Sequence, residues 1–292
     1  MDSGNTIQSM IDGLIQLNTI LLMFTMGLGM TFGQAFILWR KPKKLLVSLL
    51  AAVVLVIVAT VLILQGANAV GLVIPAEVQI ALLLMAGASG NALAPGLAVK
   101  VGSSKADGIS LMVTLALASI VAQPLIVGLF MPEGVAVSAA DVAAVVVGNL
   151  LVPLFVGLAI RTWWVRAADY ITDPLSKISG FLLQAVVIIV IIKDFNAIIG
   201  LGLWIALFIV LMLAVWLGIG HLLGGPELKD RLLLGANSSQ RNGAVAMLVA
   251  LQCMNDAIPA LVATGVLALI LVVTYFSTVG NKLAPAAGKD TE

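Results

Sequence analysis

The residue best placed to do chemistry is Arg241, which sits in an unbroken polar run, Asn237-Ser238-Ser239-Gln240-Arg241-Asn242, framed by Gly235 and Gly243. The nearest acidic residues in sequence are Asp230 and Asp256. At about 1.5 Å per residue, Arg241 stands roughly 16 Å from Asp230 along a straight helix. A guanidinium that deep in an apolar protein has two uses. It can attract an anion entering a cavity, or its five N–H donors can saturate exposed backbone carbonyls. A second polar stretch, Met85 to Gly96, holds Ser89 and Asn91 among glycines and ends at Pro95-Gly96. Its asparagine suits ligand binding and equally suits a turn. The single histidine, His221, and the single cysteine, Cys253, rule out a multi-histidine metal site, an internal disulfide and a thiolate cluster. His221 reads as an interfacial residue and Cys253 as small apolar filler.

The elements that must position these residues follow from composition. Apolar side chains make up 61% of the chain and charged ones 10%, against roughly 25% charged in a soluble domain. So few charges leave too little polar surface to solvate a water-exposed fold. A net charge of +1 also excludes the dense basic face that nucleic acid requires. Only helices or a closed barrel satisfy backbone groups in lipid. The runs here are apolar on all sides and approach about twenty residues, the helical crossing length, with no barrel alternation. The fold class expected is an all-α polytopic membrane protein of nine transmembrane helices, over 13–33, 44–65, 76–98, 108–131, 140–161, 175–193, 198–223, 229–253 and 257–280. Turn signals join them: Arg40-Lys41-Pro42, Gln65-Gly66-Ala67-Asn68, Pro132-Glu133-Gly134, Thr172-Asp173-Pro174, Gly224-Gly225-Pro226 and Asn255-Asp256. The first twelve residues carry Asp2 and Asp12 and no basic residue, so no cleavable signal peptide is expected.

Nine spans sort the positive charges. Thirteen of the 15 Lys and Arg fall on one side: Arg40, Lys41, Lys43, Lys44, Lys100, Lys105, Arg161, Arg166, Lys177, Lys229, Arg231, Lys282 and Lys289. Lys193 alone falls on the other. The positive-inside rule then places the N-terminus outside and the C-terminus in the cytoplasm of a cell inner (plasma) membrane. The third and eighth spans are the two interrupted ones. Each follows a long apolar span and precedes another, and an odd offset of five inverts one unit relative to the other. Interrupted spans at matching places of two inverted halves point to a transporter binding site.

Several motifs in order resemble the bile acid:sodium symporter family. They are Leu22 to Met30 followed by Arg40-Lys41-Pro42-Lys43, the Gly87 to Asn91 break, Ile109-Ser110-Leu111-Met112-Val113-Thr114, and Gln240-Arg241-Asn242-Gly243. The likeness covers nearly the whole chain. It implies two crossed discontinuous helices in a core (here about 44–131 and 198–280) and a panel (about 13–33 and 140–193) that moves against it. It also implies a sodium site at Asn91, Ser110, Thr114 and Asn237, the last standing where the family has a glutamate. Spacing alone would have Ser110 and Thr114 bond back to their own helix. A second sodium site would fall on Asn237, Ala52 and Arg241, where a guanidinium replaces a glutamine. Arg241 is therefore expected to replace the second sodium and to leave one cation site or none.

The expected function is secondary active transport of a small or amphipathic organic anion by alternating access. Arg241, Asn242, Gln240 and Ser89 would bind the substrate, with Na+ as coupling ion through at most one retained site. Sodium-independent exchange or uniport is the alternative. An intramembrane enzyme or a passive channel fits less well, since no membrane-depth carboxylate pair, Ser/His dyad or nucleotide-binding loop occurs. No organic cofactor is expected; the partners are the anion and the lipid bilayer, not nucleic acid.

Overall fold

A computed structural model describes residues 3–130 and 138–280. The turn at 132–134 and the basic residues Lys282 and Lys289 lie outside the described residues, as do the start of the N-terminal segment and the Cys253 side chain. Helices α1 (Ser3–Leu28) and α2 (Pro42–Ala69) are followed by two shorter ones, α3 (Ala76–Gly87) and α4 (Ala94–Lys100). Next come α5 (Lys105–Phe130), α6 (Ala139–Trp163), α7 (Val165–Lys193) and α8 (Gly202–Leu223). A second short pair, α9 (Leu228–Ser239) and α10 (Gly243–Cys253), precedes α11 (Ile258–Thr278). No strand occurs among the described residues. Seven of these segments are long and apolar enough to cross a membrane, and the two short pairs stand where the interrupted spans were expected.

Three boundaries differ from the expectation, each for a local reason. Helix α1 runs from Ser3 to Leu28 rather than over 13–33. The chain turns after Leu28 because Thr31 caps a new helical turn, Phe32–Ala35, and Gln34 reaches back to the Thr31 N–H. Helix α2 continues through Gln65-Gly66-Ala67-Asn68, since one helical glycine weakens a helix by only about 1 kcal/mol. The turn falls instead at Gly71, whose φ of +79° few other residues adopt. Helix α7 passes through Thr172-Asp173-Pro174 without a break. Pro174 leaves the Tyr170 carbonyl without its helical donor, but that turn is exposed.

Small residues set the closest approaches. Gly27 of α1 and Gly157 of α6 meet backbone to backbone, and a Cβ on either would run into the other helix. Helix α1 also packs on α7, while α8 lies along α9, and α3 contacts α5, α10 and α11. One end of the assembly gathers the basic residues. Lys41 pairs with Asp107 at 2.8 Å and Lys44 with Asp230 at 2.6 Å, tying the starts of α2, α5 and α9 together around a cavity of about 430 Å³. There the Lys229 ammonium hydrogen-bonds Glu227 and holds its carboxyl below the usual range. At the other end Gln8, Lys193, Asp194, Asn255 and Asp256 line a cavity of about 260 Å³ between α1, α7 and the turn before α11.

Candidate functional site

The first break begins where the sequence stops favouring helix, at Gly87-Ala88-Ser89-Gly90-Asn91. Gly90 has φ +95°, and a Cβ there would sit 2.7 Å from the Ala116 nitrogen, so the break presses directly onto α5. Ser89 fixes that contact. Its hydroxyl donates to Leu115 O at 2.8 Å, and Ser119 donates to Ser89 O at 2.8 Å. Asn91 folds the chain back, its Oδ1 accepting from the Leu93 N–H at 2.8 Å. Pro95 lies in the first turn of α4, where its missing N–H does no harm.

Ending α3 at Gly87 leaves the carbonyls of Met85, Ala86, Gly87 and Ala88 without donors four residues on. All four find other partners. Leu84 O keeps its helical donor, the Ala88 N–H, which is shared with Met85 O, and also accepts from Gln123 Nε2 at 2.9 Å; Ala88 O takes the Asn242 N–H at 2.8 Å. Gly87 O takes the Ser89 N–H. Met85 O accepts from Arg241 Nε at 3.0 Å, and Ala86 O from Arg241 Nη2.

Arg241 belongs to the second break, Gln240 to Asn242, which is shorter than the polar run that announced it. Asn237, Ser238 and Ser239 stay helical in α9. Asn242 then caps α10, its Oδ1 accepting from the Val245 N–H at 3.3 Å. The two breaks touch: Asn242 N–H donates to Ala88 O at 2.8 Å, and its side-chain Nδ2 to Gly90 O at 3.4 Å. From this crossing the Arg241 side chain reaches a third segment. Its Nη1 donates to Ala52 O at 2.7 Å and, more weakly, to Ser238 O at 3.5 Å. Ala52 lies in a π-helical stretch of α2, Leu50–Leu55, beyond which the Val56 N–H turns to Val53 O. The Trp216 ring of α8 lies 5.9 Å from the guanidinium carbon, and its indole N–H is held by Thr60 at 2.9 Å.

Arg241 is thus 3% exposed, and it is the one buried charged side chain among the described residues. None of the ion pairs described includes it. Of the two uses open to it, the geometry realises carbonyl saturation. It caps the C-terminal ends of α3 and α9, where helix dipoles favour a cation, and it has little surface left for direct contact with an anion. The charge itself persists, because carbonyl dipoles solvate a cation without cancelling it.

The other expected residues divide. Ser89, Asn91, Gln240 and Asn242 lie in the two breaks, and Asn237 is fully buried in the last turn of α9. Several of their polar atoms have no hydrogen-bond partner within the protein: Asn91 Nδ2, Asn237 Oδ1 and Gln240 Oε1, joined by Ser238 Oγ and Ser239 Oγ. Ser110 and Thr114 face elsewhere. Ser110 Oγ accepts from the Leu38 N–H at 2.7 Å and donates to Ala35 O at 2.9 Å. Thr114 Oγ1 accepts from the Trp39 indole at 3.1 Å. Both hold the connector between α1 and α2 rather than bonding back to their own helix.

Sequence reasoning missed Gln123, which supports the Leu84 carbonyl, and Ser119, which supports Ser89. A lone glutamine inside an apolar span was the available signal for the first. On the α1 side it missed Thr19, whose hydroxyl reaches Ala244 O at the start of α10 at 3.3 Å. Asn18 beside it accepts from Ser179 of α7 at 3.3 Å.

A search of curated proteins finds no match to this chain. A family model does match, over residues 16–201, which includes the first break and stops before the second. The match spans well over half of the sequence, and the chain belongs to the sodium bile acid symporter family, a family of membrane transporters rather than enzymes.

Proposed function

We propose that this protein is a secondary active transporter of a small or amphipathic organic anion, which binds where the two breaks meet. The observation that carries the reading is a guanidinium at that crossing with no carboxylate partner, together with buried polar atoms in the two breaks and the last turn of α9 that have no partner within the protein. A buried polar group without a partner costs about 1–3 kcal/mol, so a cluster of them favours an incoming polar ligand. Arg241 supplies the attracting field from within its carbonyl cage. In this reading Asn242, Gln240 and Ser89 of the two breaks, with Asn237 in the last turn of α9, supply the hydrogen bonds.

In this reading α3 with α4, and α9 with α10, each form one discontinuous crossing, and the chain makes nine crossings in two inverted halves. Helices α2–α5 and α8–α11 form the core, and α1, α6 and α7 the panel. Thr19 and Ala244 meet on the seam along which the two would rock. The lysine-rich end faces the cytoplasm of the inner membrane, with the N-terminus outside. Coupling uses at most one sodium ion or, with none, transport proceeds by exchange or uniport.

The direct test is a thermal-shift screen of the purified protein against taurocholate, pyruvate and pantothenate, followed by uptake of any stabilising anion into proteoliposomes. A ligand of the native state raises apparent stability by mass action. A carrier gives saturable uptake abolished by excess unlabelled anion. Flux that rises linearly with concentration, or an anion that binds and is never moved, contradicts the reading.

A further inference from the structure

Membership of a sodium symporter family raises the question of which cation sits beside the anion, and two independent parts of this structure give the same answer. The first is the cage around Arg241. Oxygens from three separate segments converge on its guanidinium: Ala52 from the π-helical stretch of α2, Met85 and Ala86 from the end of α3, and Ser238 from α9. Backbone carbonyls at the negative ends of half-helices are the groups that coordinate a dehydrated monovalent cation in membrane proteins. Here a covalently attached cation already has them. No aspartate or glutamate is buried among the described residues, so a free metal ion placed beside this guanidinium would meet repulsion with no carboxylate to offset it.

The second part is the oxygen set made by Asn91, Ser110, Thr114 and Asn237. Ser110 spends its hydroxyl proton on Ala35 O and a lone pair on the Leu38 N–H, and Thr114 accepts from the Trp39 indole. Asn91 Oδ1 is committed to the Leu93 N–H. Asn237 Oδ1 is the one oxygen of the four side chains without a partner. Two of the four residues are the seat of the connector from α1 to α2, and they do not fit a sodium cage.

We infer that Arg241 is the resident cation of this transporter, and that anion binding at the crossing takes place without sodium. The inference rests on the proposed site for an organic anion, and it assigns that site its counter-charge. A built-in cation keeps the two breaks joined in every step of the cycle. Assembly of the anion site then does not wait for an ion to arrive from one side. The driving force must come from the anion's own gradient, from exchange, or from a proton carried with it.

The test compares melting curves of the purified full-length protein in sodium, potassium and choline chloride at equal ionic strength, without and with taurocholate, pyruvate or pantothenate. The expected result is superimposable curves in the three salts, and an anion affinity that is the same in sodium as in choline. Arg241→Ala supplies the converse. It is expected to melt earlier and to be stabilised saturably by sodium or methylguanidinium, which refill the vacated carbonyls, whereas choline has no effect. A saturable, sodium-specific stabilisation of the wild-type protein overturns the inference, as does a sodium-dependent gain in anion affinity of about fivefold or more, the lower bound of ordinary allosteric coupling. Should Arg241→Ala not fold, the wild-type curves still decide. If none of the three anions stabilises the protein in any salt, it is the proposed anion site that fails, and the ligand-free salt comparison continues to test the cation.

Discussion

The two breaks interrupt their helices at similar points, yet they solve the problem of the open helix end in opposite ways. The first break is made of small residues and contributes backbone. Gly90 allows the chain to lie on α5, and the carbonyls of Met85 and Ala86 are offered outward. The second break contributes side chains. Arg241 crosses to fill those carbonyls, and Asn242 caps its own helix while its N–H reaches Ala88. An acceptor-rich break and a donor-rich break are complementary, so each interruption is stable only because the other is present. Had both been glycine-rich, the carbonyls of α3 would have needed a bound ion or water.

The most severe way to break this complementarity is Arg241→Met. It keeps much of the volume and removes every donor. Met85 O keeps the Ala88 N–H, but Ala52 O and Ala86 O lose their Arg241 donor at about 1–3 kcal/mol each, a large share of a marginal total. The complementarity predicts where the damage appears. Amide hydrogen exchange should rise at 84–90, in the break that was not mutated, at least as much as at 237–243. Protection lost only around residue 241 would contradict it. Gly90→Ala comes next, at about 2–3 kcal/mol. It forces an L-residue to φ +95° and drives a methyl group into the Ala116 backbone. The larger Gly90→Val should abolish accumulation of folded protein, scored by size-exclusion profile.

Smaller changes sharpen the picture of how the acceptor break is held. Ser89→Ala and Ser119→Ala should each lower stability by about 1 kcal/mol. Because the two hydroxyls bond each other's surroundings, the double variant should lose less than the two singles added. Additive losses in a thermal or denaturant double-mutant cycle would mean that α5 braces the break at two unrelated points.

Much of this architecture was legible in the order of residues, and the part that was not has a common cause. Long apolar runs, the polar stretch around Arg241 and the glycines near Ser89 marked the interrupted segments, because lipid tolerates such sequences only in special places. The absence of a carboxylate partner for Arg241 was readable too. Its actual partners were not, since a backbone carbonyl has no letter of its own. The resemblance placed Ala52 with Arg241 as a side-chain position, but that Ala52 would offer its backbone oxygen depends on a π-helical stretch in a run of alanine, valine and leucine that carries no signal for one. Spacing could place Ser110 and Thr114 on one helix face, but it could not show that the connector bearing Leu38 and Trp39 folds back over them. Pro174 misled for a related reason. Proline signals a turn only when the carbonyl it frees has nowhere to go, and the Tyr170 turn is exposed.

The finest distinction between the breaks concerns α9, where polar atoms remain in excess of what the fold uses. Asn237 is fully buried, its Nδ2 bonds only the Leu233 carbonyl one turn back at 2.8 Å, and its Oδ1 bonds nothing in the protein. A side chain whose only bond duplicates a helical one contributes little to folding, and replacing it relieves an unsatisfied oxygen. Asn237→Ala should therefore leave the melting temperature of the ligand-free protein close to that of the wild type, the loss of packing volume being set against the relieved oxygen. Affinity for a stabilising anion, read from a thermal-shift titration, should fall by about threefold to fivefold, under ~1 kcal/mol. This is the reverse of the pattern expected at Ser89, where stability carries most of the loss. If Asn237→Ala instead destabilises the ligand-free protein and leaves anion affinity unchanged, the spare oxygen serves packing rather than binding, and the donor-rich break is structural throughout.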